Sequence, residues 1–387
     1  MKIAILSSRF PFPLEKGDKL RLFHQIRCLS RDHEVSLYAL TDIDISPEDY
    51  NQVKQYCHRI FVYKLSFFSR IWNSLLCFIR KWPIQVGYFY NSSIFKKMVY
   101  EIENEKPDYL YCQLIRMAEY AKAMDIPKCL DYMDAFSHSM RLRYHSAPWW
   151  QKPFFKRESF FLKKYETKIA PQFDQLTIIS EQDKSRMGLA LDQIVSVIPN
   201  GVDFNYFNNK NKIPKVYDMV FVGNMGYYPN VMAAKFIIEK IVPNLIKVKP
   251  EVKILIAGAR PSAVITKFAH PQVTVSGWIE DIREAYLGSK IFIAPIYHGA
   301  GLQNKIIEAM ALGIPCICTP QVNNAIGARE NEILICSHPQ DWVKLICKLL
   351  DDTDRQSKMA QAASIFVTEN FSWEHSTHQL EELFYLS

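Results

Sequence analysis

The residues best suited to chemistry lie at 298–313, where a glycine-rich segment leads into a run of apolar residues at helical spacing. Gly299 and Gly301 allow the backbone to turn sharply and to approach a ligand closely. The spacing of the residues that follow predicts a helix over 303–311. A glycine turn that leads into a helix N-terminus favours anions, because unpaired N–H groups and the helix dipole both attract negative charge.

Two charged side chains in the predicted helix indicate which anion binds there. Lys305 falls in the first turn, where a cation opposes the helix dipole, so its position indicates a bound anion. Glu308 lies three residues later on the same helix face. Phosphates on the loop and one carboxylate for sugar hydroxyls are the chemistry of a nucleotide-sugar site. The alternatives are an ordinary surface lysine and a glutamate on a solvated helix face.

Length and composition predict a globular protein of two domains. A chain of 387 residues exceeds what one core usually supports, and its 49% hydrophobic and 22% charged residues are ordinary. The formal charge of +7 is compatible with anionic substrates or an anionic membrane face, and equally with a mildly basic enzyme. It is weak evidence for nucleic acid, and we expect no such partner.

Cysteine usage and the N-terminal residues bear on location. Nine scattered cysteines show no metal-ligand spacing, so we expect reduced core thiols and no metal. The first residues predict a strand and not a signal peptide. No stretch approaches the roughly 18 apolar residues needed to span a bilayer. We therefore expect a cytoplasmic protein, with peripheral contact to the inner face of the cytoplasmic membrane as an added alternative.

Buried strands alternate with helices along the chain, which predicts an α/β fold with parallel sheets. The first series of predicted strands covers 2–7, 34–39, 59–63, 109–113, 128–132 and 175–179. The second series covers 219–222, 253–257, 273–276, 291–294 and 316–319. The polar segment 205–215 interrupts both patterns, so we expect an N-terminal domain over 1–204 and a C-terminal domain over 216–370.

Two segments of the first domain, 61–100 and 144–165, interleave aromatic residues with lysine and arginine. This pattern is typical of chain that lies at a bilayer interface, where aromatic rings and the stems of basic side chains meet the headgroups. The alternative is that the aromatic residues pack into the core or a lid and only the cations are solvated. The repetition of the pattern within one domain favours contact with a membrane surface.

Short motifs occur in order along nearly the whole chain. They are Arg9-Phe-Pro-Phe-Pro with Gly17-Asp18-Lys19, Asp131-Tyr-Met-Asp134, Ser180-Glu181, Pro199-Asn-Gly-Val-Asp203, Phe221-Val-Gly-Asn-Met, Gly277-Trp-Ile-Glu-Asp-Ile, the run 301–313 and Phe371-Ser-Trp-Glu374. With these motifs the chain resembles retaining glycosyltransferases of family 4, in particular bacterial sugar transferases of exopolysaccharide and protein-sorting gene clusters. The resemblance implies the GT-B fold, in which two Rossmann-like domains face each other across a cleft and a C-terminal helix, here 371–387, crosses back to the first domain.

The resemblance also implies where a donor nucleotide sugar binds. The implied donor contacts are Gly17 from the N-terminal loop, Asn224 after the first strand of the second domain, Gly277, Trp278 and Ile279 near the base, Gly301, Leu302 and Gln303 through N–H groups at the diphosphate, Lys305 beside it, and Glu308 at the ribose hydroxyls. Trp278 has core packing as its alternative role. The implied catalytic residues are Asp134, Lys305 and Glu308.

The chain departs from the family pattern at three places. The first of two paired glutamates is missing, since His298, Gly299 and Ala300 occupy that region. A basic pair common after the first strand of the second domain is replaced by the segment 224–230, where Lys305, Arg260 or Arg9 would supply charge instead. Asp134 stands where many members carry an active-site histidine; capping a loop is its alternative role.

The sequence therefore predicts a retaining glycosyltransferase of cell-surface polysaccharide synthesis, with a UDP- or GDP-sugar donor and no other cofactor. Its acceptor would be a hydroxyl of a glycan or a lipid-linked glycan. Two alternatives remain, namely a nucleotide-sugar epimerase of the same fold and an inactive partner subunit that only binds the nucleotide sugar. An oxidoreductase is disfavoured, because no G-x-G-x-x-G follows the first strand.

Overall fold

Two parallel sheets organise the chain in the computed structural model, which describes residues 1–189, 193–207, 213–259, 261, 263–266, 270–297 and 301–386. One unit comprises Met1–Gly201 together with Trp373–Ser387, and the other comprises Val202–Ser372. Every strand pair in the two sheets is parallel, as the alternation of strands and helices predicted.

The first unit contains a seven-stranded sheet. Its strands are β1 (Lys2–Ser7), β2 (Glu34–Thr41), β3 (Arg59–Lys64), β4 (Tyr109–Gln113), β5 (Lys128–Asp131), β6 (Gln175–Ile178) and β7 (Val195–Val197), in the order β3-β2-β1-β4-β5-β6-β7. The strands β1, β2 and β4 are buried almost throughout, which is the reason for their nearly continuous apolar sequences.

Helices cover this first sheet. They are α1 (Gly17–Leu29), α2 (Pro47–Lys54), α3 (Phe67–Arg80), α4 (Ile84–Gly87), α5 (Ser92–Glu105), α6 (Ala118–Ala121), α7 (Phe136–Ser146), α8 (Lys152–Ile169), a 3₁₀ turn at Ala170–Gln172 and α9 (Glu181–Met187).

The second unit contains a six-stranded sheet in the order β10-β9-β8-β11-β12-β13. Its elements are α10 (Phe204–Phe207), β8 (Tyr217–Val222), α11 (Tyr228–Phe236), a π-helical segment at Ile237–Ile241, α12 (Val242–Val248), β9 (Ile254–Ala257), α13 (Ala263–Thr266), β10 (Val273–Gly277), α14 (Ile282–Leu287), β11 (Ser289–Ala294), α15 (Asn304–Ala311), β12 (Cys316–Cys318), α16 (Pro320–Ile326), β13 (Leu334–Ile335), a 3₁₀ turn at Pro339–Asp341, α17 (Trp342–Leu350) and α18 (Thr353–Asn370).

The last helix, α19 (Trp373–Phe384), belongs to the first unit. Trp373 stacks on the ring of His24 in α1, with ring centroids 4.9 Å apart. Phe384 packs against Tyr109 of β4 at 4.3 Å between centroids. These contacts bury apolar rings at both ends of α19, which holds the C-terminal helix on the first sheet.

The division between the units lies at Gly201 and Val202, slightly before the polar segment that the sequence singled out. Val202 forms a parallel bridge with Ser372, and its N–H donates to the carbonyl of Phe371 at 2.7 Å. The chain therefore joins the second unit through backbone pairing before residue 204. Residues 208–212 of the polar segment lie outside the described part of the chain.

Each sheet has one point where the strand order reverses. In the first sheet β1 lies between β2 and β4, and in the second β8 lies between β9 and β11. The loops that leave two such neighbouring strands run to opposite sides of the sheet, which opens a crevice at the carboxyl edge where ligands of α/β folds bind. In the second unit the loops concerned follow β8 and β11.

Candidate active site

Two charged side chains, Lys305 and Glu308, lie in the helix that follows β11, beside the point where the strand order of the second sheet reverses. Gly301 has a φ of 77°, in the left-handed region that glycine adopts without strain. Helix α15 then begins at Asn304, and the side chain of Gln303 does not cap it. The predicted apolar side of the helix is buried, which orients Lys305 and Glu308 away from the core.

Lys305 connects the loop after β11 to the loop after β8. Its ammonium donates to the side-chain oxygen of Asn230 at 2.8 Å and to that of Gln303 at 2.9 Å. The amide of Asn230 donates in turn to the carbonyl of Asn224 at 2.9 Å. Burial lowers the pKa of Lys305 to about 8, and the nearby Glu308 carboxylate opposes that shift only in part. An ordinary solvated lysine would show neither feature.

Glu308 is held from a neighbouring helix. The hydroxyl of Tyr286 in α14 donates to Oε2 of Glu308 at 3.0 Å. Burial raises the pKa of Glu308, while the Tyr286 hydrogen bond and the charge of Lys305 lower it. The carboxylate therefore has a fixed orientation and one oxygen committed to the protein, which differs from a glutamate on a solvated helix face.

The loop after β10 contains the residues predicted to lie near the base. Gly277 has a φ of 70°, and Ile279 packs partly against the core. Trp278 is 68% exposed, so core packing is wrong for it and stacking on a base stays a prediction. Asp281 fixes the end of this loop, because it accepts from the N–H of Arg283 at 3.0 Å and from its guanidinium at 2.8 and 2.6 Å.

Asn230 is the site residue that sequence reasoning missed. A Cβ on Gly223 would lie 2.8 Å from the Asn230 amide, and a Cβ on Gly258 would lie 2.0 Å from the carbonyl oxygen of Gly223. Three segments thus approach so closely that only glycine is accommodated at two positions. The sequence signal that could have indicated Asn230 was the segment 224–230, which occupies the place of a basic pair. Asn224, the predicted donor contact in that segment, is exposed.

In the first unit, Asp131 has a structural environment. Its Oδ2 accepts from the guanidinium of Arg21 at 2.6 Å and from the hydroxyl of Tyr111 at 2.7 Å. Its Oδ1 accepts from the N–H of Met133 at 3.1 Å. Both charged side chains are fully buried, so this ion pair fixes the carboxyl end of β5 and the chain that follows it.

Asp134 differs from Asp131 although it lies only three residues away. Burial, followed by the charge of Asp183, raises the pKa of Asp134 to about 7, and Arg116 opposes the shift. Its Oδ1 is buried and has no hydrogen-bond partner. Arg116 donates twice to the side-chain oxygen of Gln85, at 3.0 and 2.8 Å. An unsatisfied buried oxygen together with a raised pKa sets Asp134 apart from the fully bonded Asp131.

A cavity of about 140 Å³ lies in the first unit beside the loop after β1. Its charged lining consists of Arg9, Lys16, Lys19, Asp42, Asp44 and Asp49. Arg9 pairs with Asp18, the residue after Gly17. Gly17 itself is exposed as the first residue of α1, and its predicted contact with a donor stays a prediction.

Four residues named from the sequence, His298, Gly299, Ala300 and Arg260, lie outside the described residues. Among the residues that the structure describes, no group of three or more His, Cys, Asp and Glu side chains is arranged to hold a metal ion. Within the same residues, no helix has both the length and the apolar character that crossing a membrane requires.

Comparison with known proteins identifies a family match in the second unit. The family model for Glycosyl transferases group 1 matches residues 216–352. An uncharacterised 44.6 kDa protein in the cps region of Klebsiella pneumoniae is 24% identical over 393 residues, covering 96% of both chains.

Two solved structures share the fold over the full length. Sucrose-phosphate synthase from Thermosynechococcus elongatus has a TM-score of 0.71 at 14% identity, covering 100% of this chain and 99% of the other. HepE from Anabaena, solved in complex with UDP, has a TM-score of 0.71 at 15% identity and covers 100% of both chains. The predicted fold is confirmed: the chain has the GT-B fold, and its residues 216–352 match the Glycosyl transferases group 1 family, which identifies a glycosyltransferase domain there.

Proposed function

We propose that the protein transfers a sugar, with retention of the anomeric configuration, from a nucleoside-diphosphate sugar to a hydroxyl of a glycan or a lipid-linked glycan. The observation that carries the proposal is the pair Lys305 and Glu308 in the first two turns of α15, beside the strand-order reversal of the second sheet. The product would serve cell-surface polysaccharide synthesis, which the relative in the cps region of Klebsiella pneumoniae supports.

The donor is proposed to lie along the second unit. The phosphates meet the backbone at 301–303 and the ammonium of Lys305, where the helix N-terminus adds positive potential. Glu308 accepts from ribose hydroxyls through the oxygen that Tyr286 leaves free. The base lies against the loop that contains Trp278. Structures of HepE with UDP and with UDP-glucose make a UDP-sugar the first donor to test, and a GDP-sugar is the alternative.

The proposed chemistry depends on the leaving diphosphate. When the bond from the anomeric carbon to the phosphate oxygen breaks, negative charge grows on the diphosphate. Lys305 and the N-terminus of α15 are already oriented before the reaction, so they stabilise that charge without further reorganisation. Glu308 does not act on the sugar in this scheme; it orients the nucleotide.

Asp134 is proposed to act on the acceptor. The half-buried carboxyl group of Asp134, with a pKa of about 7, is suited to accept the proton of an attacking hydroxyl near neutral pH. The cavity beside the loop after β1 supports a polar acceptor, since its lining contains both cations and carboxylates that hydroxyls can bind.

A donor and acceptor panel tests the proposal. The purified protein is incubated with UDP- and GDP-sugars, with and without glycan and lipid-linked glycan acceptors, and products are identified by mass spectrometry and NMR. Transfer with retained configuration is expected for one donor. Epimerised donor without acceptor would support the epimerase instead, and nucleotide binding without any turnover would support an inactive partner subunit. Failure of every nucleotide to bind would contradict the proposed donor site.

A further inference from the structure

Helix α3 presents its apolar residues to solvent, the reverse of an ordinary surface helix, which buries its apolar stripe. Phe68 is 82% exposed and Ile79 is 79% exposed, whereas the apolar side of a packed helix is mostly buried. The exposed apolar residues of α3 are Phe67, Phe68, Ile71, Trp72, Leu75, Phe78 and Ile79. Their positions recur at helical spacing, so they form a single stripe.

The opposite side of α3 is polar and is bonded to the protein. Arg70 donates to a carboxylate oxygen of Asp42 at 2.7 Å and to the hydroxyl of Tyr88 at 2.6 Å. Asn73 donates to the carbonyl of Tyr90. These polar contacts fix the rotation of the helix about its axis, because turning the apolar stripe inward would break them.

A second element extends the same surface. Trp149 and Trp150, just before α8, are 83% and 64% exposed. The guanidinium of Arg157 in α8 lies 4.4 Å from the ring centroid of Phe78 and 4.5 Å from that of Phe161, and it donates to the carbonyl of Cys77 at 2.7 Å. The exposed apolar residues of α3 and those at 149–160 are called the aromatic surface below.

The exposed charges carried by the two segments of the aromatic surface are positive, and Asp42, exposed beside α3, is paired with Arg70. Within 67–82 there is no acidic residue, and Arg80 and Lys81 are exposed at the end of α3. Within 149–164 the exposed ionic side chains are Lys156, Lys163 and Lys164. The one acid of that segment, Glu158, is buried and accepts from the N–H groups of Ile84 and Gln85 at 3.0 and 2.9 Å.

We propose that the aromatic surface docks the protein onto an anionic lipid bilayer. Exposed tryptophan and phenylalanine rings are suited to the boundary between headgroups and acyl chains, while the surrounding cations meet the anionic headgroups. An apolar protein partner would bind the stripe without help from these cations, so their presence favours an anionic bilayer as the partner. Asp42 and Tyr88, which bond Arg70 on the inner side of α3, also line the cavity of the first unit. Docking therefore brings that cavity close to the membrane, whatever donor the second unit uses.

Vesicle flotation of the full-length protein tests this inference. We expect binding to vesicles of phosphatidylcholine with about a third phosphatidylglycerol, and at least tenfold weaker binding to pure phosphatidylcholine. Raising NaCl from about 0.05 to about 0.5 M should weaken binding, because salt screens the headgroup charges. The fluorescence of the tryptophans should shift to shorter wavelength on binding, as Trp72, Trp149 and Trp150 leave water.

Two pairs of variants locate the surface. Phe68→Ser with Ile79→Ser should reduce vesicle binding at least tenfold, whereas Ile194→Ser with Val248→Ser, which are 81% and 60% exposed elsewhere, should not. Lys156→Glu with Lys164→Glu should also reduce vesicle binding at least tenfold. The control pair Lys344→Glu with Lys358→Glu, at exposed positions of the second unit, should leave binding unchanged. Each variant must keep the circular dichroism and the UDP affinity of the parent in solution.

Three results would overturn the inference. They are equal binding to both vesicle types, unchanged binding by the two surface variants, and a dimer in solution that Phe68→Ser with Ile79→Ser converts to monomer. The last result would assign the aromatic surface to a second copy of the chain. UDP binding is measured without lipid, so failure of membrane binding leaves the proposed donor site intact, and the reverse also holds.

Discussion

Lys305 and Asn230 are joined by a hydrogen bond of 2.8 Å although they stand 75 positions apart in the chain. The bond runs from the first turn of α15 to α11, and thus between the loops that leave β11 and β8. Both oxygens that Lys305 contacts, on Asn230 and Gln303, are neutral. Burial without a directly bonded anion explains the pKa of about 8, and an incoming diphosphate would supply the missing negative charge.

Replacing Lys305 by methionine should weaken UDP binding about 10–100-fold, because the proposed charge-assisted contact of a half-buried lysine to phosphate is lost. Isothermal titration calorimetry with UDP measures the effect. The matched control is Lys235→Met, since Lys235 is half-buried on α11 and pairs with Glu239 of the same helical region. Equal affinities of the Lys305→Met variant and the parent would contradict a phosphate contact.

The affinity for UDP should depend on pH in a way that Lys305 determines. A bound diphosphate raises the pKa of Lys305 above its free value of about 8, so binding takes up a proton above that pH. We expect the affinity to fall by no more than about twofold between pH 7 and 8, where phosphate is ionised, and by up to tenfold per pH unit well above 8. Calorimetry in buffers of different ionisation enthalpy should detect the proton. A profile that is flat to pH 10 in the parent, or one that Lys305→Met leaves unchanged, would exclude this origin.

The sequence predicted Lys305 and Glu308 as site residues because their spacing on one helix is a local property. Asn230 could not be predicted in this way. Its position depends on the approach of Gly223 to Gly258, two glycines at the ends of different strands, and no local pattern encodes such a contact. The ion pair of Arg21 with Asp131 spans 110 positions and was missed for the same reason.

The same distinction applies to the fold. The strands 2–7 and 109–113 have the predicted bounds, because a buried parallel strand requires an unbroken apolar run. Strand β13 has only two residues, Leu334 and Ile335, and is too short to show any periodicity. Helix α3 carries the apolar spacing of a buried helix, yet tertiary hydrogen bonds through Arg70 and Asn73 turn that stripe outward.

Glu308→Gln should remove discrimination between UDP and its 2′-deoxy analogue. Glutamine still accepts from Tyr286 but lacks the charge that strengthens a bond to a ribose hydroxyl. The parent should prefer UDP by about 10–100-fold and the variant by much less. Competition binding with the two nucleotides gives the ratio. Glu284→Gln, an exposed change on α14, serves as the control, and an unchanged ratio in Glu308→Gln would place the ribose elsewhere.

Asp134→Asn should slow transfer about 100–10,000-fold while leaving UDP affinity unchanged, because asparagine cannot accept the acceptor proton. In the parent, kcat/KM for the acceptor should rise with pH and level off near 7, where the Asp134 carboxyl loses its proton. Initial rates across pH 5.5–8.5 check both statements. Asp125→Asn, an exposed change in the same unit, is the control. A rate that falls as pH rises through 7 would argue against Asp134 as a base.

Asp131→Asn should destabilise the first unit by about 3–5 kcal/mol, because the fully buried cation of Arg21 then lacks its counter-charge. Combining Arg21→Met with Asp131→Asn should restore a large part of that loss, since the double variant removes both charges. Urea unfolding, followed by fluorescence, measures the free energies. Arg31→Met breaks an exposed pair with Glu374 and should cost about 1 kcal/mol or less. If the double variant were as unstable as the sum of its parts, the two charges would not be coupled, and Asp131 would be available for the site that Asp134 is proposed to form.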